Sequence, residues 1–152
     1  MGRVLVLVLA AGCSGTDGVT LDDGGPDPTE TEDCLGAETF VAGISKTTTS
    51  GLLVAIGTAT PTPPDVGDNT WTISVTDADG PVDDLKIDLV PWMPLHGHGL
   101  TPPTYRAVSS GDGTYAVPTF DLIMPGTWEF RFDAAADEDT PDEALFEFCA
   151  EG

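Results

Sequence analysis

Residues 69–77 read NTWTISVTD, and 127–133 read TWEFRFD. In the first, Trp71, Ile73 and Val75 alternate with Thr70, Thr72, Ser74 and Thr76; in the second, Trp128, Phe130 and Phe132 alternate with Glu129, Arg131 and Asp133. Successive side chains of a strand point to opposite faces, so a two-residue apolar period describes a strand with one dry and one wet face. DLKIDLV (84–90) repeats the pattern with Leu85, Ile87 and Leu89. ETFVAGISK (38–46), GLLVAIGTAT (51–60), GTYAVPTFDLIM (113–124) and ALFEFCA (144–150) read as further strands, and no segment carries a helical period. Turn-rich stretches separate them: PTPPDVGDN, DADGP, SSGDGT, MPG and AADEDTPDE. About seven short strands with this spacing predict an all-β fold, an immunoglobulin-like antiparallel β-sandwich.

Composition agrees with that architecture and narrows the partners. The 152 residues suffice for one domain and a tail, and 18 glycines with 13 prolines favour strands joined by turns. Twenty-six acids against five bases give a formal charge of −21, which repels nucleic acid and anionic lipid headgroups. Neither is expected as a partner.

The N-terminus, MGRVLVLVLAAGCSG, has one arginine, an apolar run from Val4, and small residues before Cys13. It resembles a bacterial lipoprotein signal, with residues 1–12 removed and Cys13 lipidated. The run falls short of the roughly 20 residues a spanning helix needs. It departs from the usual pattern in its short leader and in Ala10 three before the cysteine. Residues 13–33 then form the lipidated cysteine and an acidic linker; 14–33 hold seven acids, no base and no aromatic residue. Such a composition buries too little apolar area to offset chain ordering, so it reads as a disordered tether. The domain proper is 34–152. The expected location is the cell envelope, facing the periplasm, with Ser14 leaning toward the outer membrane.

Export places the other two cysteines, Cys34 and Cys149, where disulfides persist. Pairing them ties the first and last strands together and closes a loop of over a hundred residues, worth on the order of 4–5 kcal/mol. Two free thiols are the alternative; a dithiolate copper site lacks a third ligand nearby in sequence.

The chemistry sits in PWMPLHGHG (91–99), which holds both histidines of the chain and one of its three methionines. His96 and His98 are two apart, and in an extended chain their imidazoles share a face with Cα atoms about 7 Å apart. Met93 adds a thioether, a soft donor suited to Cu(I); imidazole accepts copper or zinc. Gly97 and Gly99 relieve crowding, Pro91, Pro94, Pro102 and Pro103 stiffen the backbone, and Trp92 reads as a shield against solvent. No carboxylate lies between Asp88 and Asp112, the opposite of a hard-cation site. Met124, in the MPG turn, is a second thioether that would join if its turn lies at the same end of the sandwich. The competing reading makes both methionines core filler packed on Trp92 or Trp128, with the histidines bonded to loop carbonyls. Asp77, Asp79, Asp83 and Asp84 lack the ligand order of a calcium loop and read as a hairpin turn. The serines show no nucleophile signature, so no enzyme is expected.

PWMPLHGHG, GDGTYAV (111–117) and MPGTWEFRF (124–132), preceded by GLLVAIGTATPTPPDVGDNTWTISVTDADGPV, resemble the YtkA-like family of small exported bacterial domains, related to FixH-like proteins. The resemblance spans roughly residues 51–132. It implies an immunoglobulin-like sandwich, often on a lipoprotein, without established catalytic activity; FixH-like relatives accompany cation pumps that serve copper oxidases. The combined expectation is a membrane-tethered, monomeric lipoprotein. It binds copper, Cu(I) favoured and zinc possible, through His96, His98, Met93 and Met124. Trp92, Pro94 and Gly97 support the loop, and the ion is stored or passed to a copper-handling partner. The alternative is a structural or adhesive envelope module that holds no metal.

Overall fold

The alternating stretches become the long strands of two facing sheets. In the computed structural model, which describes residues 34–135 and 142–152, the strands are β1 (Ser45–Thr47), β2 (Leu53–Thr60), β3 (Gly67–Asp77), β4 (Gly80–Pro81), β5 (Lys86–Met93), β6 (His98–Gly99), β7 (Tyr105–Arg106), β8 (Val108–Gly111), β9 (Thr114–Leu122), β10 (Gly126–Ala135) and β11 (Glu143–Ala150). The expected leader, the expected lipidation of Cys13 and the expected acidic tether fall on residues 1–33, outside the described residues.

One sheet runs β1-β2-β3-β9-β8, with β4 on β3; the other runs β11-β10-β5-β6, with β7 on β5. All pairings are antiparallel. In the first sheet β2-β3-β9-β8 follows the A-B-E-D order of an immunoglobulin constant-type domain, and in the second β5-β10-β11 follows C-F-G. The expected sandwich is therefore present in strand order as well as in class.

The period-two pattern explains the core. Trp71, Ile73 and Val75 of β3 and Trp128, Phe130 and Phe132 of β10 are all buried, while the residues between them face outward. Across the sheet interface the Trp71 ring lies 4.7 Å from Phe130 and 6.1 Å from Phe148, and 5.1 Å from Phe120 of its own sheet. β3 and β10 are the strands that carry the inter-sheet disulfide in antibody domains. Here the Trp71–Phe130 contact joins them; such aromatic pairs add about 0.5–1.5 kcal/mol beyond area burial.

The disulfide is elsewhere. Cys34 bonds Cys149 across a separation of 115 residues, with Cα atoms 5.3 Å apart. It fastens the segment leading into the domain to the last strand. Beyond it, the Glu38 N–H donates to the Glu147 carbonyl at 2.7 Å and Phe40 stacks edge-on to Phe148 at 5.1 Å. This differs from the full strand expected over 38–46. A turn closed by the Ile44 N–H on the Val41 carbonyl at 3.0 Å breaks the run; after it Gly43 and Ile44 bond the Ile56 backbone of β2 at 2.7 and 2.9 Å, and Ser45–Thr47 forms the short strand paired with β2.

A polar clamp joins the sheets at the start of β11. Asp142, 7% exposed, accepts the Ser50 N–H at 3.0 Å and the Ser50 hydroxyl. Burial alone would raise its carboxyl; bonds from the Ser50 and Thr48 hydroxyls and from the Ser50 and Thr49 N–H groups outweigh it and hold it below the ordinary value. A lowered folded-state value means stability that is fully present above the unfolded carboxyl's pKa, about 3.9, and lost as pH falls through the folded value. Urea titrations across pH 2–6 are therefore expected to show an acid loss in the wild type that is reduced in Asp142→Asn, itself about 2 kcal/mol less stable at pH 7. Equal acid dependence in the two proteins would contradict the clamp.

Two aspartates of the DADGPVDD stretch bond backbone N–H groups, Asp77 within its own hairpin turn and Asp83 across to the β8–β9 turn. Asp77 accepts the Asp79 and Gly80 N–H groups at 2.8 and 3.0 Å, and Asp83 accepts the Gly113 N–H at 2.9 Å.

Candidate metal centre

Register places the soft donors. β5 and β10 pair with Trp92 opposite Glu129, so Met93, one residue on, is level with Trp128. β10 begins at Gly126, directly after the Met124-Pro125 turn. The MPG turn and the histidine loop thus share one end of the sandwich, as the sequence required for Met124 to take part.

Met93 is the last inward residue of β5, after Ile87, Leu89 and Pro91, and only 1% exposed. The chain then reverses over residues 94–97 and returns as β6, pairing His98 with Met93 and Gly99 with Trp92. Gly97 makes the reversal possible, with φ 67° and its N–H donating to the Met93 carbonyl at 2.9 Å. His96 therefore stands on the turn and His98 in β6, rather than both on one extended segment as expected, yet their rings are parallel, with centroids 6.0 Å apart. The stiffening assigned to Pro91 also changes: it is a buried residue inside β5, between the stretches paired with β7 and with β6. Pro94 opens the exposed turn.

The four donors meet in two nitrogen–sulfur pairs. His96 Nδ1 lies 3.0 Å from Met93 Sδ, and His98 Nε2 lies 3.3 Å from Met124 Sδ. His98 Nδ1 faces the Gly99 carbonyl at 3.2 Å. A carbonyl only accepts, so this contact assigns the proton to Nδ1 and, in the neutral ring, leaves the lone pair on Nε2. That lone pair points at a thioether sulfur that is itself a lone-pair donor. Two such atoms attract each other only across a cation, a proton or a metal ion. Bonds of about 2.0 Å to nitrogen and 2.3 Å to sulfur at a tetrahedral angle hold the two donors about 3.5 Å apart. The observed contacts are close to that edge.

The supporting contacts include one that sequence reading missed. The Trp128 indole N–H donates to the Met124 carbonyl at 3.1 Å, and the Trp128 ring meets His98 edge-on at 5.9 Å. Trp128 is fully buried and reads in sequence simply as a core residue of the alternating strand. Trp92, assigned the shielding role, is 41% exposed and on the outward face of β5, opposite to Met93. The indole that covers the site is Trp128.

Gly99 is needed for a different reason from Gly97. A Cβ at this position would sit 2.8 Å from the Pro91 carbonyl oxygen, inside contact distance of a backbone atom. Gly99→Ala is expected to push β6 off β5, displace His98 from Met124 and lower the melting temperature by several degrees, for about 1–2 kcal/mol. An unshifted melting curve would show that β6 absorbs the methyl group.

Among the described residues no three His, Cys, Asp or Glu side chains gather as a metal cluster. The candidate centre is thus a soft His2Met2 set, open to solvent on the His96 side. Around it Val66, Trp92, Leu95 and Ile123 are exposed, Val66 reaching the same end beside Pro125 and Gly152.

Fold and site together define a small immunoglobulin-like domain carrying a thioether–imidazole cluster at one end. The YtkA-like family model matches residues 54–133, more than half of the chain, and the chain belongs to the YtkA-like family. No curated protein and no solved structure matches it. Membership suggests an exported cell-envelope domain, and family and fold together suggest a non-enzymatic one.

Proposed function

We propose that this protein is a lipid-anchored envelope lipoprotein that binds copper through Met93, His96, His98 and Met124 and stores it or passes it to a copper-handling partner. The reading rests on one observation above the rest: an imidazole lone pair, assigned by the Gly99 carbonyl, faces a thioether at 3.3 Å, beside a second such pair at 3.0 Å. Two thioethers with two imidazoles favour Cu(I) over Cu(II), and the thioethers disfavour zinc. In this reading the role of the site is to bind and release an ion. Residues 1–12 act as the export leader, Cys13 takes the lipid, and the acidic 14–33 segment spaces the domain from the membrane, the outer membrane by the Ser14 criterion.

The test is titration of the purified domain with Cu(I), Cu(II) and Zn(II) against competing chelators. The expected result is about one Cu(I) per chain, with weaker Cu(II) and Zn(II) binding. Ligand held only by the native state raises stability by about 2.7 kcal/mol at a hundredfold excess over Kd. Absence of binding by all three ions rejects the reading.

A second reading is supported by the exposed Trp92, Leu95 and Ile123, an apolar rim on an otherwise strongly acidic protein. In it the domain is an adhesive or structural envelope module. Metal then leaves the melting curve unchanged, and substitutions at Trp92 or Leu95 alter envelope association.

A further inference from the structure

The four donors are not held alike. Met93 is buried, its carbonyl tied to the Gly97 N–H and its backbone paired with His98. His98 sits in β6, half-buried, with Nδ1 on the Gly99 carbonyl and its ring against Trp128. Met124 is partly buried against the core and its carbonyl is tied to the Trp128 indole. Each of these three is positioned by strand pairing, by packing or by a backbone hydrogen bond. His96 is exposed on the turn, outside any strand, and the contacts the structure gives its ring are with the Met93 sulfur and the face of His98.

Resting on the copper reading above, we propose that His96 is the exchange ligand of the site: Met93, His98 and Met124 form the fixed hold, and His96 is the arm that yields first when copper leaves. Preorganised donors lose little freedom on binding an ion, whereas an exposed side chain must be ordered each time and is released most easily. Its position on the solvent side also makes it the ligand that an incoming donor meets. Transfer is then a ligand substitution without redox change. A thiolate or imidazole of the acceptor forms a bond to Cu(I) as the Cu–N bond to His96 breaks. His96 is released as the free imidazole with its lone pair turned to water, and copper remains Cu(I) throughout.

The experiment uses the domain loaded with Cu(I) under reducing conditions and the chelator bathocuproine disulfonate as acceptor. Wild type, His96→Ala and His98→Ala are compared for stoichiometry, affinity and rate of transfer. His98→Gln, closer in volume, stands beside the alanine variant so that a folding defect does not decide the result. His96→Ala is expected to keep one Cu(I) per chain, with an affinity loss at least about tenfold smaller than that of the His98 variants and transfer at least about tenfold faster, because a coordination position is already open. Both His98 variants are expected to lose at least about a hundredfold in affinity. Equal losses at the two positions, a larger loss at His96, or unchanged transfer in His96→Ala would overturn the assignment while leaving the copper site standing. Failure of the wild type to bind would reject the copper reading itself.

Discussion

Changing His96 and His98 together to alanine is expected to abolish Cu(I) binding while leaving the fold intact. Both nitrogen donors go at once, and the two remaining thioethers are neutral, weak donors. The affinity loss should exceed the 10–100-fold typical of removing a single supporting contact around a metal, which takes binding below detection at micromolar copper. Copper-free stability should change by less than about 1 kcal/mol, because His96 is exposed and His98 half-buried. The measurement is paired: thermal melting with and without Cu(I), on wild type and double variant. In the wild type the metal raises the melting temperature; in the variant the two curves should coincide. Equal copper retention would reject the site, whatever the geometry of its sulfur atoms.

The second large effect lies far from the histidines in sequence. Removing both cysteines as Cys34→Ala with Cys149→Ala is expected to cost on the order of 4–5 kcal/mol, because the bond closes a separation of 115 residues in the unfolded chain. For a domain of this size that lowers the melting temperature by on the order of 15 °C. The folded state loses a strap as well. With Cys34 free, the Glu38–Glu147 hydrogen bond and the Phe40–Phe148 stack rest on the local chain alone. Urea unfolding of the oxidised wild type and the double alanine variant measures the difference directly. A change below about 1 kcal/mol would mean that the bridge barely constrains the unfolded ensemble. Copper stoichiometry should persist in this variant, since no donor is touched.

Fold class was readable because strand alternation is a local property. Trp71-Ile73-Val75, Leu85-Ile87-Leu89 and Trp128-Phe130-Phe132 each declare a buried face within a few residues, and each of these faces turns inward. The pairing of Cys34 with Cys149 follows from cysteine arithmetic under the expectation of export, and it is present. The segment 38–46 reads as a continuous strand, because its apolar residues do not show where a turn at Val41–Ile44 interrupts the run. Trp128 was legible as core but not as the donor that fixes Met124, since a residue in a regular alternation gives no sign of what its polar atom bonds.

The sequence by itself determined that this is an all-β, acidic domain of the YtkA-like family with its soft donors concentrated in two short Met-Pro turns. Only the tertiary structure decided that these turns meet. Met93 and Met124 are 31 positions apart, and what brings them level is the antiparallel register of β5 on β10. That register emerges from the packing of two whole sheets around Trp71 and Phe130, a sum over many distant contacts. The unequal restraint of the two histidines has the same origin. Nothing in HGH separates His96 from His98 until β6 pairs with β5 and leaves one imidazole inside the ladder and the other on the turn.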